Sequence, residues 1–491
     1  MKINIQSIEK KRVYDEVVNL GEVYAPCGGK GICGKCKLKT VEGKFNEITE
    51  RERKFLTKEE LDNNIRLACY LYFEGSAVVE IEEREGKKTE KIYKEFSEEE
   101  EYTVICDLGT TTVEIEIYDK ESKLAAEIKF LNPQRKYGND IISRAEFGAK
   151  SIENINIMKN KLIEKINDIK YIKKCKNFYI AGNSVMQQIF LGVNTQNFLE
   201  PPYNPVFYEK KIVSLKEFGI KTEKDGNVTT LENIGGFVGG DSRAIVDYYS
   251  RNLQNEKIFL VIDLGTNGEI LLFKENMIYA SSTAAGPAFE AITMECGMNA
   301  AEGAVSSVSL ENGVKLEVIG DIEPRGICGS GYISLISELL YTDTIDKNGN
   351  FVEKNLIFPE INKNIFAGKF ELSQYIYISQ KDIREIQTAK SAIAATIEIL
   401  LEESQIDKKN VEKIVITGNF GGKVTAKNVE KCKILPPDIN AEIKFEPNLV
   451  LEGLRSMFIE KKKQEVNYKI FHIKTAQKAD FEKKFIKNMF F

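Results

Sequence analysis

Short apolar runs alternate with polar punctuation along this chain, and the period of each run predicts its element. Residues 104–112, VICDLGTTT, and 261–268, VIDLGTNG, each read as a buried strand ending in Asp-Leu-Gly-Thr. A polar turn and a second apolar strand follow in both, VEIEIYD and EILLF. Each therefore predicts a hairpin. An echo follows each hairpin: FYIAGNS at 178–184 and IVITGNF at 414–420 are strands closing in Gly-Asn. Between hairpin and echo the period changes to that of a helix. SIENINIMKNKLIEKIND carries Ile152, Ile155, Met158, Leu162 and Ile166 on one stripe, and DIREIQTAKSAIAATIEILL is helical in the same way. The order hairpin, helices, strand-Gly-Asn occurs twice and predicts two related halves.

The first 85 residues follow a different pattern. MKINIQSI and KRVYDEVVN predict strands, ERERKFLTKEELDN a helix, and RLACYLYFEGSAVVEIEE a return to a last alternating strand. Within this span residues 27–36 read CGGKGICGKC, which spaces Cys27-x5-Cys33-x2-Cys36, and Cys69 follows after 32 more residues. Four thiolates are enough for one iron–sulfur cluster or one zinc. Zinc ribbons usually pair two short knuckles, and here only Cys33 and Cys36 form one. The single Cys27 and the distant Cys69 suit a [2Fe–2S] ferredoxin loop. Glycines at 28, 29, 31 and 34 let the backbone wrap closely and aim N–H groups at sulfur. These features predict an α+β, β-grasp ferredoxin domain over residues 1–85. Residues 86–101 are dense in mixed charge and predict a solvated linker. The halves beyond it span 102–255 and 256–491.

The hairpins carry candidate chemistry for a nucleotide. Gly109 and Gly265 bring backbone N–H groups against phosphate oxygens. Thr110, Thr111, Thr112, Thr266 and Asn267 add short donors. Asp107 and Asp263, at strand ends, can organise Mg²⁺ directly or through water. Two such hairpins facing each other would clamp the triphosphate of ATP. Gly418, Asn419, Gly421 and Gly422, in ITGNFGGKV, would open a helix beside the adenosine.

Composition narrows the class. A length of 491 is too much for one core. A net charge of −5 gives no basic footprint for nucleic acid. The N-terminus lacks the apolar stretch of a signal peptide, and no apolar run approaches a membrane span. A cytoplasmic protein is expected. Nine cysteines, odd in number and unevenly spread, argue against a disulfide framework. His472 is the one histidine, which removes multi-histidine metal sites and leaves little room for a histidine base.

The two hairpins and the late glycines resemble the ASKHA superfamily of actin, hexokinase-like sugar kinases and chaperone ATPases. A four-cysteine ferredoxin module ahead of such a fold resembles the reductive activators of corrinoid proteins, the RACo family. Further stretches resemble the same family: NPQRKYGNDIISRAEFG (132–148), GNSVMQQIFLG (182–192), GFVGGDSRA (236–244), AAGPAFEA (284–291), PRGICGSGYI (324–333) and DIREIQTAK (382–390). Two departures stand out. Longer members insert a linker domain where this chain has only residues 82–101, and Gln188 stands where many relatives carry His. The resemblance implies a two-lobed α/β ASKHA ATPase coupled to electron transfer. It would pass electrons from a low-potential donor through a [2Fe–2S] cluster to Co(II) of a corrinoid protein, regenerating Co(I) at the cost of ATP. The implied partner is the corrinoid protein of a methyltransferase or O-demethylase system, with no nucleic acid and no membrane, and a homodimer is left open. Three alternatives stay open: a small-molecule kinase with a fused redox domain, for which Asp241 could be the base, a non-catalytic binding module whose ATP site only reports nucleotide state, or an activator of another low-potential enzyme.

Overall fold

The computed structural model describes residues 2–491 apart from 19–22, 24–28, 30, 32, 33, 35, 82–88, 139, 253–256, 266, 287, 292, 299, 312, 353–358, 374, 375, 419–423 and 465. The chain divides into two compact units, Met1–Thr230 and Leu231–Phe491.

The first unit opens with β1 (Lys2–Arg12), α1 (Val13–Val18), β2 (Lys37–Phe45), α2 (Glu50–Phe55), α3 (Lys58–Asp62), β3 (Ile65–Leu67) and β4 (Tyr72–Glu80). The strands form one antiparallel sheet in the order β1-β4-β2-β3. Ile3, Ile5, Leu38, Phe73, Ala77 and Val79 fill its core, the alternate residues of their strands. Two sequence expectations are corrected here. Of the described residues of KRVYDEVVN only Lys11 and Arg12 belong to a strand, and the chain then turns into α1. Val13, Tyr14 and Val17 are all buried, and that spacing is helical rather than alternating. The helix expected over ERERKFLTKEELDN is two helices. Thr49 with Glu52 and Thr57 with Glu60 each make a capping box, so the second box starts a helix of its own.

Beyond residue 88 come β5 (Thr89–Ile92), β6 (Tyr102–Leu108), β7 (Thr112–Tyr118), β8 (Leu124–Leu131), α4 (Ile141–Ala149), α5 (Ile152–Asn167), β9 (Cys175–Ala181), α6 (Ser184–Phe190), β10 (Ile212–Ser214), α7 (Leu215–Phe218) and β11 (Asn227–Thr230). The sheet order is β10-β11-β9-β6-β7-β8-β5. β6, β7 and β8 form an antiparallel meander, while β9 runs parallel to β6 and β11 parallel to β9. On α5, Ile155, Met158, Leu162 and Ile166 are buried as expected, but Ile152 at the helix start is 57% exposed.

The charged stretch expected as a tether does not behave as one from residue 89 onward. β5 pairs with β8 at the sheet edge. Phe96 packs against Tyr102 and Tyr171, with ring centroids 6.1 and 5.8 Å apart. Lys94 bridges Glu100 and Asp119 at 2.8 and 2.7 Å, and Glu98 pairs with Lys173 and Lys174. Residues 82–88 lie outside the described residues.

The second unit holds α8 (Gly240–Arg251), β12 (Ile258–Leu264), β13 (Gly268–Lys274), β14 (Met277–Thr283), β15 (Ala304–Ser309), β16 (Lys315–Val318), β17 (Gly326–Ile327), α9 (Gly329–Tyr341), β18 (Ile365–Phe366), β19 (Lys369–Ser373), β20 (Ile376–Ser379), α10 (Gln380–Glu403), β21 (Lys413–Thr417), α11 (Ala426–Lys431), β22 (Glu442–Phe445), α12 (Leu449–Leu454), β23 (Lys469–His472) and α13 (Phe481–Lys487). Its main sheet runs β22-β21-β12-β13-β14-β23, with β12–β14 antiparallel, β21 parallel to β12 and β22 parallel to β21. The five strands β22-β21-β12-β13-β14 repeat the topology of β11-β9-β6-β7-β8, so the duplication read from the sequence is a duplication of the fold. α10 covers this sheet with Ile386, Ile393 and Ile397 in the core. Residues 231–252 fold within this unit: α8 packs on α12 so closely that a side chain on Gly453 would meet the Ala244 carbonyl at 2.0 Å.

Candidate functional site

Cys36 precedes β2 and Cys69 lies in the turn after β3, and the pairing of Lys37 with Leu67 brings them together. Both are buried, and their sulfurs stand 3.2 Å apart. That is far beyond the roughly 2.05 Å of a disulfide. The backbone N–H of Cys69 also points at the Cys36 sulfur, at 3.4 Å. Two buried thiols held side by side, one receiving an N–H, fit two ligands of a metal–sulfur group. Cys27 and Cys33 lie outside the described residues. Gly31 turns with φ +74°, and a side chain there would meet the Tyr70 hydroxyl at 2.4 Å. That hydroxyl donates to the Gly31 carbonyl at 2.6 Å, which fastens the loop to the turn carrying Cys69. Beneath the site Glu52, fully buried, grips Arg66 at 2.9 and 3.0 Å and accepts the Leu67 N–H at 3.1 Å. Burial pushes the Glu52 carboxyl up, but Arg66 and the N–H groups of Thr49 and Leu67 outweigh it and hold it below its ordinary value.

In the first unit the turn Gly109–Thr111 joins β6 to β7, with Thr112 opening β7. Asp107 is half-buried at the end of β6 and faces Glu114 across the hairpin. Thr110 and Thr111 are buried. The Gly-Asn after β9 packs directly on this turn. A side chain on Gly182 would meet the Leu108 carbonyl at 2.8 Å, and Asn183 Nδ2 donates to Thr110 Oγ1 at 3.2 Å.

The second unit repeats the arrangement. Asp263, the penultimate residue of β12, is half-buried and pairs in register with Glu269 across the hairpin and with Thr417 on β21. Gly265 N–H donates to the Asn267 carbonyl at 3.0 Å, and Asn267 is buried. Gly418 has φ +107°, and a side chain there would sit 2.5 Å from the Leu264 carbonyl and 2.7 Å from Asp263 Oδ1. The Gly-Asn echo thus has one physical meaning in both units: its glycine lets a strand end lie against the hairpin. Thr266, Asn419, Gly421 and Gly422 lie outside the described residues; the next helix, α11, starts at Ala426 with Thr425 as its cap.

Two carboxylates that the sequence reading gave no role, Glu114 and Glu269, occupy matching positions opposite the two aspartates. Register was the signal for them, since each lies where the hairpin doubles back on Asp. Burial raises the Glu269 carboxyl well above its ordinary value, and Asp241 and Asp263 raise it further. Asp241, near the start of α8, is pushed up to about 6 by burial, against the Ser242 N–H that it accepts at 2.6 Å. Among the described residues, no group of three or more His, Cys, Asp or Glu side chains is placed to hold a metal by itself. Gln188 is buried and holds Asn197 at 2.6 Å and the Val206 N–H at 3.1 Å, an anchor for its own loop.

A duplicated sheet of this topology, with a strand-Asp-Leu-Gly turn in each copy and a glycine-ended strand packed against it, defines an ASKHA-type protein carrying a small ferredoxin-like domain ahead of it. The comparisons agree. The C-terminal ASKHA domain of RACo matches residues 257–491 and the RACo middle region matches 102–250. The chain belongs to the RACo family. The corrinoid activation enzyme RamQ of Eubacterium limosum is 33% identical over 363 residues, covering 68% of this chain and 60% of RamQ. A reductase of Methanosarcina barkeri, named for a Co(II) methylated-amine-specific corrinoid protein, is 25% identical over 73% of this chain and 70% of its own. A solved reductive activator for corrinoid, iron–sulfur protein superposes with TM-score 0.71 at 23% identity, over 99% of this chain and 96% of that one. No described helix is long and apolar enough to cross a membrane.

Proposed function

We propose that this chain is an ATP-dependent reductive activator of a corrinoid protein, returning Co(II) to Co(I) with electrons from a low-potential donor. The observation that carries the reading is the pairing of a buried two-thiol site with a duplicated ASKHA fold in one chain. The names of RamQ and of the Methanosarcina reductase support the partner class. Cys27, Cys33, Cys36 and Cys69 would hold a [2Fe–2S] cluster, and Asp107 and Asp263 would organise Mg²⁺ arriving with ATP phosphates. When bound, such a cluster supplies single electrons near roughly −400 mV.

Nucleotide closes the energy balance. A shortfall of about 100 mV for one electron costs about 2.3 kcal/mol, a modest demand on a conformational change driven by nucleotide, provided the partner is bound differently in the two states. The residues of the chain divide the labour: the cysteine loop orders thiolates, and the hairpins offer donors to phosphate. The test is growth of Co(I) absorbance in an anaerobic mixture of this protein, reductant, MgATP and a candidate corrinoid protein. Growth that requires ATP supports the reading. Equal growth without ATP makes the chain a plain electron carrier, and ATP turnover stimulated by a small acceptor instead of a corrinoid protein makes it a kinase.

A further inference from the structure

Arg144 heads the wholly buried side chains of the described residues by volume. It stands on α4, in a stretch to which sequence reading attached no role. Its guanidinium donates from Nε to the Gly138 carbonyl at 2.8 Å, from Nη1 to Met186 Sδ at 3.2 Å and from Nη2 to the Thr110 carbonyl at 2.5 Å. The rigid fork of the guanidinium makes this a fixed tie between α4, α6 and the hairpin turn.

The other carbonyls of the turn are also engaged from behind. Asn132, just after β8, donates from Nδ2 to the Gly109 carbonyl and from its backbone N–H to the Thr111 carbonyl, both at 2.9 Å. Gly109, Thr110 and Thr111 therefore each spend a carbonyl on a donor of the protein. The Thr110 hydroxyl is oriented too. Asn183 Nδ2 donates to it at 3.2 Å, while Asn183 Oδ1 accepts the Met186 N–H at 2.9 Å, which fixes which end of the amide faces Thr110. A hydroxyl that accepts on one side has its proton left to give elsewhere.

We propose that Asn132, Arg144 and Asn183 are positioning residues that make the 109–111 turn a donor surface for the terminal phosphate oxygens of a nucleoside polyphosphate, with the Thr110 hydroxyl proton the group they aim. The proposal rests on the nucleotide reading above. Engaging every turn carbonyl removes the acceptors that would repel a phosphate or attract a cation or a sugar hydroxyl. Specificity for an anion then comes from what is withdrawn as much as from what is offered.

The experiment is calorimetric titration of the full chain with MgATP and, separately, with adenosine. Thr110→Val and Arg144→Met should each weaken MgATP about tenfold, the scale of one hydrogen bond to a charged group, with adenosine affinity unchanged. Arg144→Lys, which keeps a donor, should recover part of the loss. Thr110→Val in the Arg144→Met background should add little, because both act on one group. If Arg144→Met does not fold, Asn183→Ser keeps the α6 cap oxygen, removes the Nδ2 donor and should give the same loss specific to MgATP. Unchanged MgATP affinity in folded variants, or equal weakening of MgATP and adenosine, overturns the proposal alone. A wild-type chain that does not bind MgATP overturns the nucleotide reading and the proposal with it.

Discussion

Removing the carboxylate of Glu52 should unfasten the cysteine site. Glu52 is fully buried and accepts from Arg66 Nε and Nη2, Leu67 N–H, Thr49 N–H and the Thr49 hydroxyl at 2.9–3.1 Å. Glu52→Ala leaves Arg66, itself buried, with the Asn46 and Glu47 carbonyls at 3.1 and 3.2 Å as remaining acceptors. Breaking one side of a buried ion pair costs about 3–5 kcal/mol, and the retained carbonyls place this case at about 3. For a domain of roughly this size each kcal/mol lowers the melting temperature by about 4–8 °C, so the shift is about 12–24 °C. Leu67 lies two residues before Cys69, so loss of the visible absorbance of the proposed cluster should accompany the melt. Replacing both partners, Glu52→Met with Arg66→Met, should cost less than the single change, since no buried charge is then stranded. The pH dependence follows from the sign of the shift. Glu52 is held below its unfolded value of about 4.3, so its contribution is complete above that pH and lost as pH falls through the folded value. Anaerobic melts followed by visible absorbance and circular dichroism, at pH 7 and 4, measure both effects. A shift under about 4 °C at pH 7 would refute the assignment of Glu52 as the anchor.

Further outcomes follow from the same geometry. Gly418→Ala should abolish nucleotide turnover with the sheet intact, because the new methyl group falls 2.7 Å from Asp263 Oδ1 and 2.5 Å from a carbonyl; turnover near wild type in a folded variant would count against the Asp263 site. If the proposed cluster is held, the wild type should contain about two iron and about two sulfide per chain, and Cys69→Ser should remove them while leaving MgATP binding; one zinc and no sulfide in the wild type would exclude the cluster. Asp107→Ala and Asp263→Ala should each stop ATP hydrolysis with the visible spectrum unchanged, and normal hydrolysis in both would mean that the site is elsewhere. Lys390 is buried, donates to the Asn488 and Phe490 carbonyls at 2.5 and 2.6 Å, and is driven by burial down to about 7. An unfolded lysine titrates near roughly 10.4, so the unfolded chain binds more protons between these values and stability should rise with pH across that window. Lys390→Met should flatten the rise, read as melting temperatures at pH 7 and 9.

What the sequence determined alone was whatever local period and spacing encode. The apolar runs before each Asp-Leu-Gly, the two strand-Gly-Asn echoes and the helical stripes of α5 and α10 were all legible, because a strand or helix writes its own exposure into neighbouring residues. Of the four cysteines, Cys36 and Cys69 lie among the described residues, and the sheet register rather than local spacing brings their sulfurs together. Tertiary structure decided what depends on partners remote in the chain. Glu114 and Glu269 stand opposite Asp107 and Asp263 only because register, in each unit, sets them there. Arg144 reaches a turn 34 residues away, and no local pattern reports that. The charge run after residue 88 reads as solvated until Lys94 meets Asp119 and Glu98 meets Lys173. Charge shows that a residue needs a polar partner; only the fold decides whether that partner is water or a side chain brought from elsewhere.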